Sequence, residues 1–108
     1  MVNYQDGSHR ERCPLPPIEE LARGPVWLVD VVSGRPYLRA RRATLSAGSL
    51  RFDGDDSSST VALADVLDYE RVLVVDPRGS DQFGRTLWEG VPAGTELIVV
   101  WWDSQDRD

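Results

Sequence analysis

The side chains best suited to nucleophilic or acid–base chemistry lie outside the patterned part of this chain. The sole histidine, His9, and the sole cysteine, Cys13, both precede the first apolar segment. A Cys–His dyad needs both groups held rigidly at hydrogen-bond distance, which a polar leader would not do. Asp65 and Asp68 could act as an acid and a base, but they are more simply explained as a capping and turn pair. We therefore predict that the protein is not an enzyme and uses no cofactor.

Three nearby aspartates, Asp53, Asp55 and Asp56, are the only group that suggests a calcium site. A calcium loop of the helix–loop–helix type has glycine at its sixth position and glutamate at its twelfth. Counted from Asp53, those positions hold Ser58 and Ala64. The sequence therefore predicts a solvated hairpin loop here and no metal site.

Arginines are concentrated in one stretch of an otherwise acidic chain: Arg35, Arg39, Arg41, Arg42 and, on the next strand, Arg51. Alternate strand residues project to one face, so Arg39 and Arg41 would present two guanidinium groups together. Such groups bind phosphate or carboxylate oxygens through paired hydrogen bonds. The same arginines could instead form solvated cross-strand pairs with aspartate and glutamate. The sequence leaves both interpretations open.

The four tryptophans are the other unusual feature. Trp101 and Trp102 end an apolar strand, so one ring should point inward and the other outward. An outward ring near Trp88 would form an aromatic contact patch of the kind enriched at protein interfaces. The alternative is that an N-terminal helix covers this strand and buries both of its faces.

Short apolar segments separated by turn residues continue from Val26 to Trp102 without an amphipathic helix. Seven of them have the length and composition of strands: 26–32, 37–45, 50–52, 60–63, 66–76, 84–91 and 95–102. Leu50 and Phe52 should face a core together with Val61 and Leu63. We predict an all-β, mainly antiparallel domain, a small barrel or sandwich of about seven strands.

The N-terminal quarter is organised differently. Residues 1–13 are polar without periodicity, which predicts a flexible leader. Residues 14–25 combine a Pro-rich segment with one short helix, which Pro17 should begin and which Gly24 and Pro25 should end. The β-domain is predicted at 26–103, and the charged tail at 104–108 should fray.

Length and charge limit the classes of function. A chain of 108 residues, 41% of them apolar, suffices for one domain with one modest core. The net charge of −6 argues against nucleic-acid binding, and the longest apolar run is too short to span a membrane. All twelve basic residues are arginine, a bias typical of a GC-rich bacterial or halophilic archaeal genome. One cysteine and the lack of a signal-peptide pattern predict a cytoplasmic protein.

Two central hairpins resemble a known family. The segments Thr44–Gly54 and Val61–Glu70 are similar to bacterial PH-like and GRAM-like domains, in which a G-x-L strand, a polar hairpin and an h-x-L-x-D-h strand follow one another. The resemblance covers about a third of the chain. It implies a small barrel, and it places Arg39 and Arg41 where phosphoinositide-binding PH domains carry basic residues. PH domains end in a helix, and no helical pattern follows Trp102, so an SH3-like barrel is an alternative.

These features predict a non-catalytic protein-binding or adaptor module. Its contact patch would combine Trp88 with the outward member of the Trp101 and Trp102 pair. The arginines would form the polar rim: Arg35, Arg39, Arg41 and Arg42. A homodimer through the edge strand at Gly84 to Val91 is a variant of this hypothesis.

Two alternatives remain open at this point. The first is a small acidic inhibitor or immunity-type protein, whose aspartates at 53–56 and 65–68 block a basic site on a partner. The second is a barrel that binds an anionic ligand or phospholipid through the arginines of 35–42.

Overall fold

The computed structural model describes residues 8–77 and 87–103, without the side chain of Arg35. These residues form eight strands, one α-helix and one short 3-10 turn. In chain order the elements are β1 (Ser8–Arg12), α1 (Ile18–Arg23), β2 (Val26–Asp30), β3 (Arg35–Ala40), β4 (Arg42–Ser46), β5 (Ser49–Asp53), β6 (Ser58–Ala62), the 3-10 turn (Leu63–Asp65), β7 (Val66–Val74) and β8 (Glu96–Trp102). The all-β class with one short N-terminal helix is confirmed.

The strands form two sheets that do not close into a barrel, so the sandwich is the correct one of the two predicted architectures. The larger sheet has the order β1-β7-β8-β2-β3, and the smaller one has the order β4-β5-β6. Neighbouring strands are antiparallel except for β2 and β8, which are parallel. The mainly antiparallel pairing predicted from short turns is therefore confirmed.

The five-stranded sheet is apolar on both faces because both faces are covered. Alternate residues of β2 and β8 separate into two clusters, with Val26 and Ile98 on one face and Trp27 and Val99 on the other. The first cluster lies between the two sheets and contains the fully buried Leu50 and Phe52, as predicted. The second cluster is covered by Leu87 and Trp88.

Helix α1 forms where the sequence places it and closes the first cluster. Leu21 is buried in that cluster, and the Arg71 Nε on β7 donates to both carboxylate oxygens of Glu20, at 3.0 and 2.9 Å. The amide of Gly24 donates to the carbonyl of Glu20 and ends the helix. A helix of six residues is too short to be stable alone, so these tertiary contacts stabilise it.

The prediction of a flexible leader is wrong for residues 8–13. Ser8–Arg12 form β1, which pairs with β7, and the Cys13 amide donates to the carbonyl of Tyr69 at 2.8 Å. The β-domain therefore includes β1, which precedes the predicted start at Val26. Main-chain hydrogen bonds at the sheet edge stabilise this strand. Its side chains are polar and do not alternate with apolar ones, so the sequence pattern does not indicate a strand. The remainder of the predicted leader, 1–7, and the tail, 104–108, lie outside the described residues.

Cys13 should react slowly with thiol reagents in the folded protein. Its side chain is 4% exposed, and burial raises the pKa of the thiol above its ordinary value. The thiolate is the reactive form, so both access and ionisation are reduced. With Ellman's reagent near pH ~8 we expect the native chain to react at least about tenfold more slowly than the chain unfolded in guanidinium. Equal rates would contradict the burial of Cys13 beneath α1 and β7.

The predicted strands 26–32 and 66–76 end two residues early, at Asp30 and Val74, and three other strand predictions need larger corrections. The segment 37–45 is two strands, β3 and β4, which lie in different sheets. They separate at Arg41, whose amide donates to the carbonyl of Asp53. In the predicted edge strand at Gly84 to Val91, residues 84–86 lie outside the described residues and 87–90 form turns. Leu63 begins the 3-10 turn and does not pair in the sheet, although Val61 does pair with Leu50.

Candidate functional site

Trp88 does not lie on the surface as predicted. It is fully buried, with its ring centroid 5.2 Å from that of Trp27. The guanidinium carbon of Arg10 lies 5.2 Å from the centroid of the Trp88 ring. The physical reason is that residues 87–90, predicted as part of an edge strand, form a turn that folds over the second face of the large sheet. Trp88 is therefore a core residue.

Trp101 and Trp102 alternate as expected, but neither simply points into solvent. Trp102 packs against the first cluster and Trp101 against the second, and each ring is partly exposed. The indole Nε1 of Trp101 donates to Oε1 of Glu70. The prediction of one inward and one outward ring is wrong because both faces of the sheet are covered.

Three of the clustered arginines form ion pairs with aspartates of the neighbouring hairpin. Arg41 Nε lies 2.8 Å from Asp55 Oδ1, and Arg42 Nε lies 3.6 Å from Asp53 Oδ2. Arg51 Nε donates to Asp53 Oδ1 at 3.1 Å. All three arginine side chains are largely exposed, so each pair contributes at most about 1 kcal/mol. This arrangement matches the ion-pair interpretation of the cluster.

Arg39 does not lie beside Arg41 on a common face. Its guanidinium carbon lies 4.2 Å from the centroid of the Trp27 ring, and its Nη1 donates to the carbonyl of Glu89. Arg41 lies beyond the end of β3, where the chain passes to the other sheet. Arg35 is opposite Asp30 in the register of β2 and β3. The predicted arginine rim is thus divided between different parts of the molecule.

A different apolar surface lies at one end of the five-stranded sheet. We call it the Trp102 patch and define it as Val31, Val32, Tyr37, Leu67 and Trp102. Tyr37 is 60% exposed, and its ring packs edge-on against Trp102 with the centroids 5.1 Å apart. Val32 and Leu67 are 64% and 60% exposed. Large apolar side chains of this kind, exposed together, are uncommon on a protein without a binding partner.

Hydrogen bonds fix the turn that contributes the two valines. The amide of Val31 donates to the carbonyl of Trp102 at 2.9 Å, which places this turn directly beside the end of β8. Asp30 holds the turn from both sides: its Oδ1 accepts from the amide of Val32, and its carbonyl accepts from the amide of Gly34. The exposed valines therefore belong to an ordered turn.

Two irregularities in strand pairing contribute the remaining members of the patch. Leu28 pairs with Leu38 and Val29 with Pro36, so Tyr37 is an extra residue in β3. Leu67 is likewise an extra residue in β7, because its neighbours Val66 and Asp68 pair with consecutive residues of β8. Each is a β-bulge, a feature that redirects side chains and is frequent beside functional sites.

Acidic residues adjoin the members of the Trp102 patch along the chain. Asp30 precedes the valine turn, Asp68 follows Leu67, and Asp103 follows Trp102. The Asp103 amide donates to the carbonyl of Asp65, which brings a fourth acidic residue to the same region. Asp68 also pairs with Arg12 at 3.2 Å. The Trp102 patch is therefore an apolar surface with an acidic border.

An open groove of about 520 Å³ lies beside α1, at a separate location. Its lining includes His9, Glu11, Glu20, Arg71 and Glu96. The hydrogen bond from Arg71 to Glu20 crosses this region and raises the pKa of Arg71 above its ordinary value. None of the predicted site residues lines the groove. The groove was not predicted because His9 and Glu11, which line it, were assigned to a flexible leader.

Residues 8–77 and 87–103 contain no group of three or more histidine, cysteine, aspartate or glutamate side chains placed to bind a metal ion. No helix in the same ranges has the length and apolar composition needed to cross a bilayer.

No protein-family model matches this chain, and comparison with curated proteins and with solved structures finds no significant match. The function is therefore inferred from the geometry of this chain alone.

Proposed function

We propose that this chain is a non-catalytic protein-binding module and that the Trp102 patch is its contact surface. The main support for this proposal is the pair of bulges on β3 and β7. Both turn an apolar side chain outward at the same end of one sheet. In a strand of regular register, every side chain would point to one of the two covered faces of the sheet. Keeping Tyr37 and Leu67 exposed costs burial energy, which a binding role would explain.

The partner we propose presents an apolar or aromatic side chain flanked by lysine or arginine. The apolar anchor would pack on Tyr37 and Trp102, since aromatic residues contribute strongly to interface energies. The basic flanks would face the acidic border at Asp30 and Asp103, and the net charge of −6 would speed their approach. In this proposal the arginines at 39, 41, 42 and 51 are structural and do not form the rim.

The acidic inhibitor hypothesis also uses the acidic surface of this chain. It differs in that charge, and not apolar contact, would contribute most of the binding energy. It is supported by the net charge of −6 and by the aspartates that border the patch. Binding dominated by charge should weaken steeply as salt is raised, whereas binding dominated by apolar contact should weaken little. The anionic-ligand hypothesis has less support, because Arg41, Arg42 and Arg51 are already paired with carboxylates.

We also place the protein in the cytoplasm as part of this proposal. Its single cysteine is unpaired and buried, which suits a reducing compartment.

Selection of a displayed random-peptide library on the full chain tests the contact surface. We expect enrichment of peptides with an aromatic or branched anchor beside lysine or arginine. For a selected peptide, Tyr37→Ala should weaken binding about 10- to 100-fold, the range of an interface hot spot. Tyr37 is mostly exposed, so the variant should keep its circular dichroism spectrum and melting temperature near those of the parent.

Leu15→Ala is the matched control, because Leu15 is 75% exposed but belongs to the segment before α1. Its dissociation constant should equal that of the parent. Val32→Asp is a second variant of the Trp102 patch. If the selected peptides bound the parent and both patch variants, Tyr37→Ala and Val32→Asp, with equal affinity, the proposal would be contradicted. A loss of affinity of about a hundredfold between low and physiological salt would favour the acidic inhibitor instead.

A further inference from the structure

The described sheets have four edge strands, and three of them carry features that discourage pairing with another chain. β1 has charged side chains at three consecutive positions, 10–12. β3 contains Pro36 and the bulge at Tyr37. β4 packs against α1, and Gly24 lies against the carbonyl of Arg41 at its start. Charges, proline, bulges and covering elements are the usual means of protecting a sheet edge.

The fourth edge, β6, has none of these features. Its residues, Ser58–Ala62, include no charge and no proline. Its pairing with β5 is regular over all five residues. No other strand among the described residues pairs with its outer side.

Hydrogen bonds at both ends of the β5–β6 hairpin show which main-chain groups of β6 face outward. The Gly54 amide donates to the carbonyl of Ser57, and the Leu63 amide donates to the carbonyl of Gly48. Hydrogen-bonded and non-bonded pairs alternate along an antiparallel ladder. Ser59 and Val61 therefore bond to β5. The amides and carbonyls of the alternate residues, 58, 60 and 62, point away from the sheet.

We propose that two copies of this chain associate through β6, antiparallel, with the two-fold axis at Thr60. The outward groups at 58, 60 and 62 are symmetric about Thr60, so Ser58 of each copy faces Ala62 of the other. Such pairing would form about six main-chain hydrogen bonds and join the two small sheets into one. Because β6 carries no charge, it places no like charges opposite each other. The arrangement is closed and uses the same surface on both copies.

This dimer is independent of the proposed function, because none of the residues of the Trp102 patch belongs to β6. The Trp102 patch could bind its partner in a monomer or in a dimer. Loss of dimerisation would therefore leave peptide binding at Tyr37 intact, and loss of peptide binding would leave dimerisation intact.

Sedimentation equilibrium of the full chain tests the pairing. We expect a monomer–dimer equilibrium with a dissociation constant of about 10–100 μM, since an interface of this size must offset the cost of association. Thr60→Lys should weaken the dimer at least about tenfold, because two ammonium groups would face each other at the axis. Thr44→Lys is the matched control. It adds the same charge to the exposed side of β4 in the same sheet and should leave the constant within about twofold.

Thr60→Pro gives a second, independent variant. The Thr60 amide bonds to nothing in the β5–β6 ladder, so proline leaves that ladder intact and removes one hydrogen bond per copy from the dimer. A chain that stays monomeric up to about 1 mM, or a dimer equally tight in Thr60→Lys and in a folded Thr60→Pro, would overturn the proposal.

Hydrogen exchange identifies the surface directly. As concentration rises, the amides of Ser58, Thr60 and Ala62 should become protected, while those of Ser59 and Val61 are protected at every concentration. Concentration-dependent protection confined to Tyr37 and Leu67 would instead assign the dimer to the Trp102 patch and overturn the pairing through β6.

Discussion

Gly24→Ala should destabilise the protein by more than about 4 kcal/mol, enough to unfold much of it at ambient temperature. Gly24 has φ +61° and ψ −176°, a conformation available almost only to glycine. A Cβ at this position would lie 1.5 Å from the carbonyl oxygen of Arg41 and 2.5 Å from its carbonyl carbon. Backbone atoms cannot rotate away as a flexible side chain could. The clash falls where the chain passes from one sheet to the other.

Gly48→Ala separates this steric effect from the cost of the backbone conformation. Gly48 also has a positive φ, +80°, but a Cβ there would meet no atom within 4 Å. Its replacement should cost about 1–2 kcal/mol from conformation alone. Urea unfolding followed by tryptophan fluorescence measures both variants. If Gly24→Ala lost no more stability than Gly48→Ala, the close approach of Gly24 to Arg41 would be wrong.

Trp88→Ala should destabilise the protein by about 3–5 kcal/mol, the usual cost of removing a large buried aromatic side chain. The indole is fully buried and packs against Trp27 in the second cluster. Truncation would leave a cavity beneath the 87–90 turn and remove the ring that faces the Arg10 guanidinium. We expect the midpoint of urea unfolding to fall while the slope of the transition is unchanged.

Trp88→Ala is not suitable as a test of the contact surface. Because Trp88 belongs to the core, weaker partner binding by Trp88→Ala would report partial unfolding and not a lost contact. Leu15→Ala, at an exposed position, should change stability by less than about 0.5 kcal/mol. A Trp88→Ala chain as stable as Leu15→Ala would contradict the buried position of Trp88.

The sequence was sufficient to predict those elements whose side chains alternate between a core and water. Leu50 and Phe52 are an example, since their polar neighbours face solvent and the pattern is unambiguous. The helix α1 was predictable for a different reason: glutamates in its first turn and a Gly-Pro pair at its end specify its direction and limits.

The elements that were missed are stabilised by contacts that leave no local pattern. β1 is stabilised mainly by main-chain pairing with β7, so its charged composition indicated a flexible segment. The separation of β3 from β4 occurs at Arg41 without glycine or proline. It depends on the bond from the Arg41 amide to Asp53, which is distant in sequence. Such contacts are known only once the topology is known.

The candidate site was only partly predictable for the same reason. An aromatic contact surface was expected to combine Trp88 with either Trp101 or Trp102, but its composition depends on which parts of the chain cover the large sheet. The turn at 87–90 buries Trp88, and a bulge exposes Tyr37. One signal was present in the sequence: Val31 and Val32 directly precede a Ser-Gly turn, where exposed apolar residues are unusual. A bulge gives no comparable sign.

Nuclear magnetic resonance of the indole groups tests the central claim most directly. The chain has four tryptophans, and each Nε1–H gives one resonance in a ¹⁵N-correlated spectrum. Titration with a library-selected peptide should shift the Trp102 resonance and the amides of Val31, Val32 and Tyr37. The resonances of the buried Trp27 and Trp88 should stay in place. A bound peptide that shifts the arginine-rich β3–β5 region and leaves Trp102 unchanged would contradict the assignment of the Trp102 patch as the contact surface.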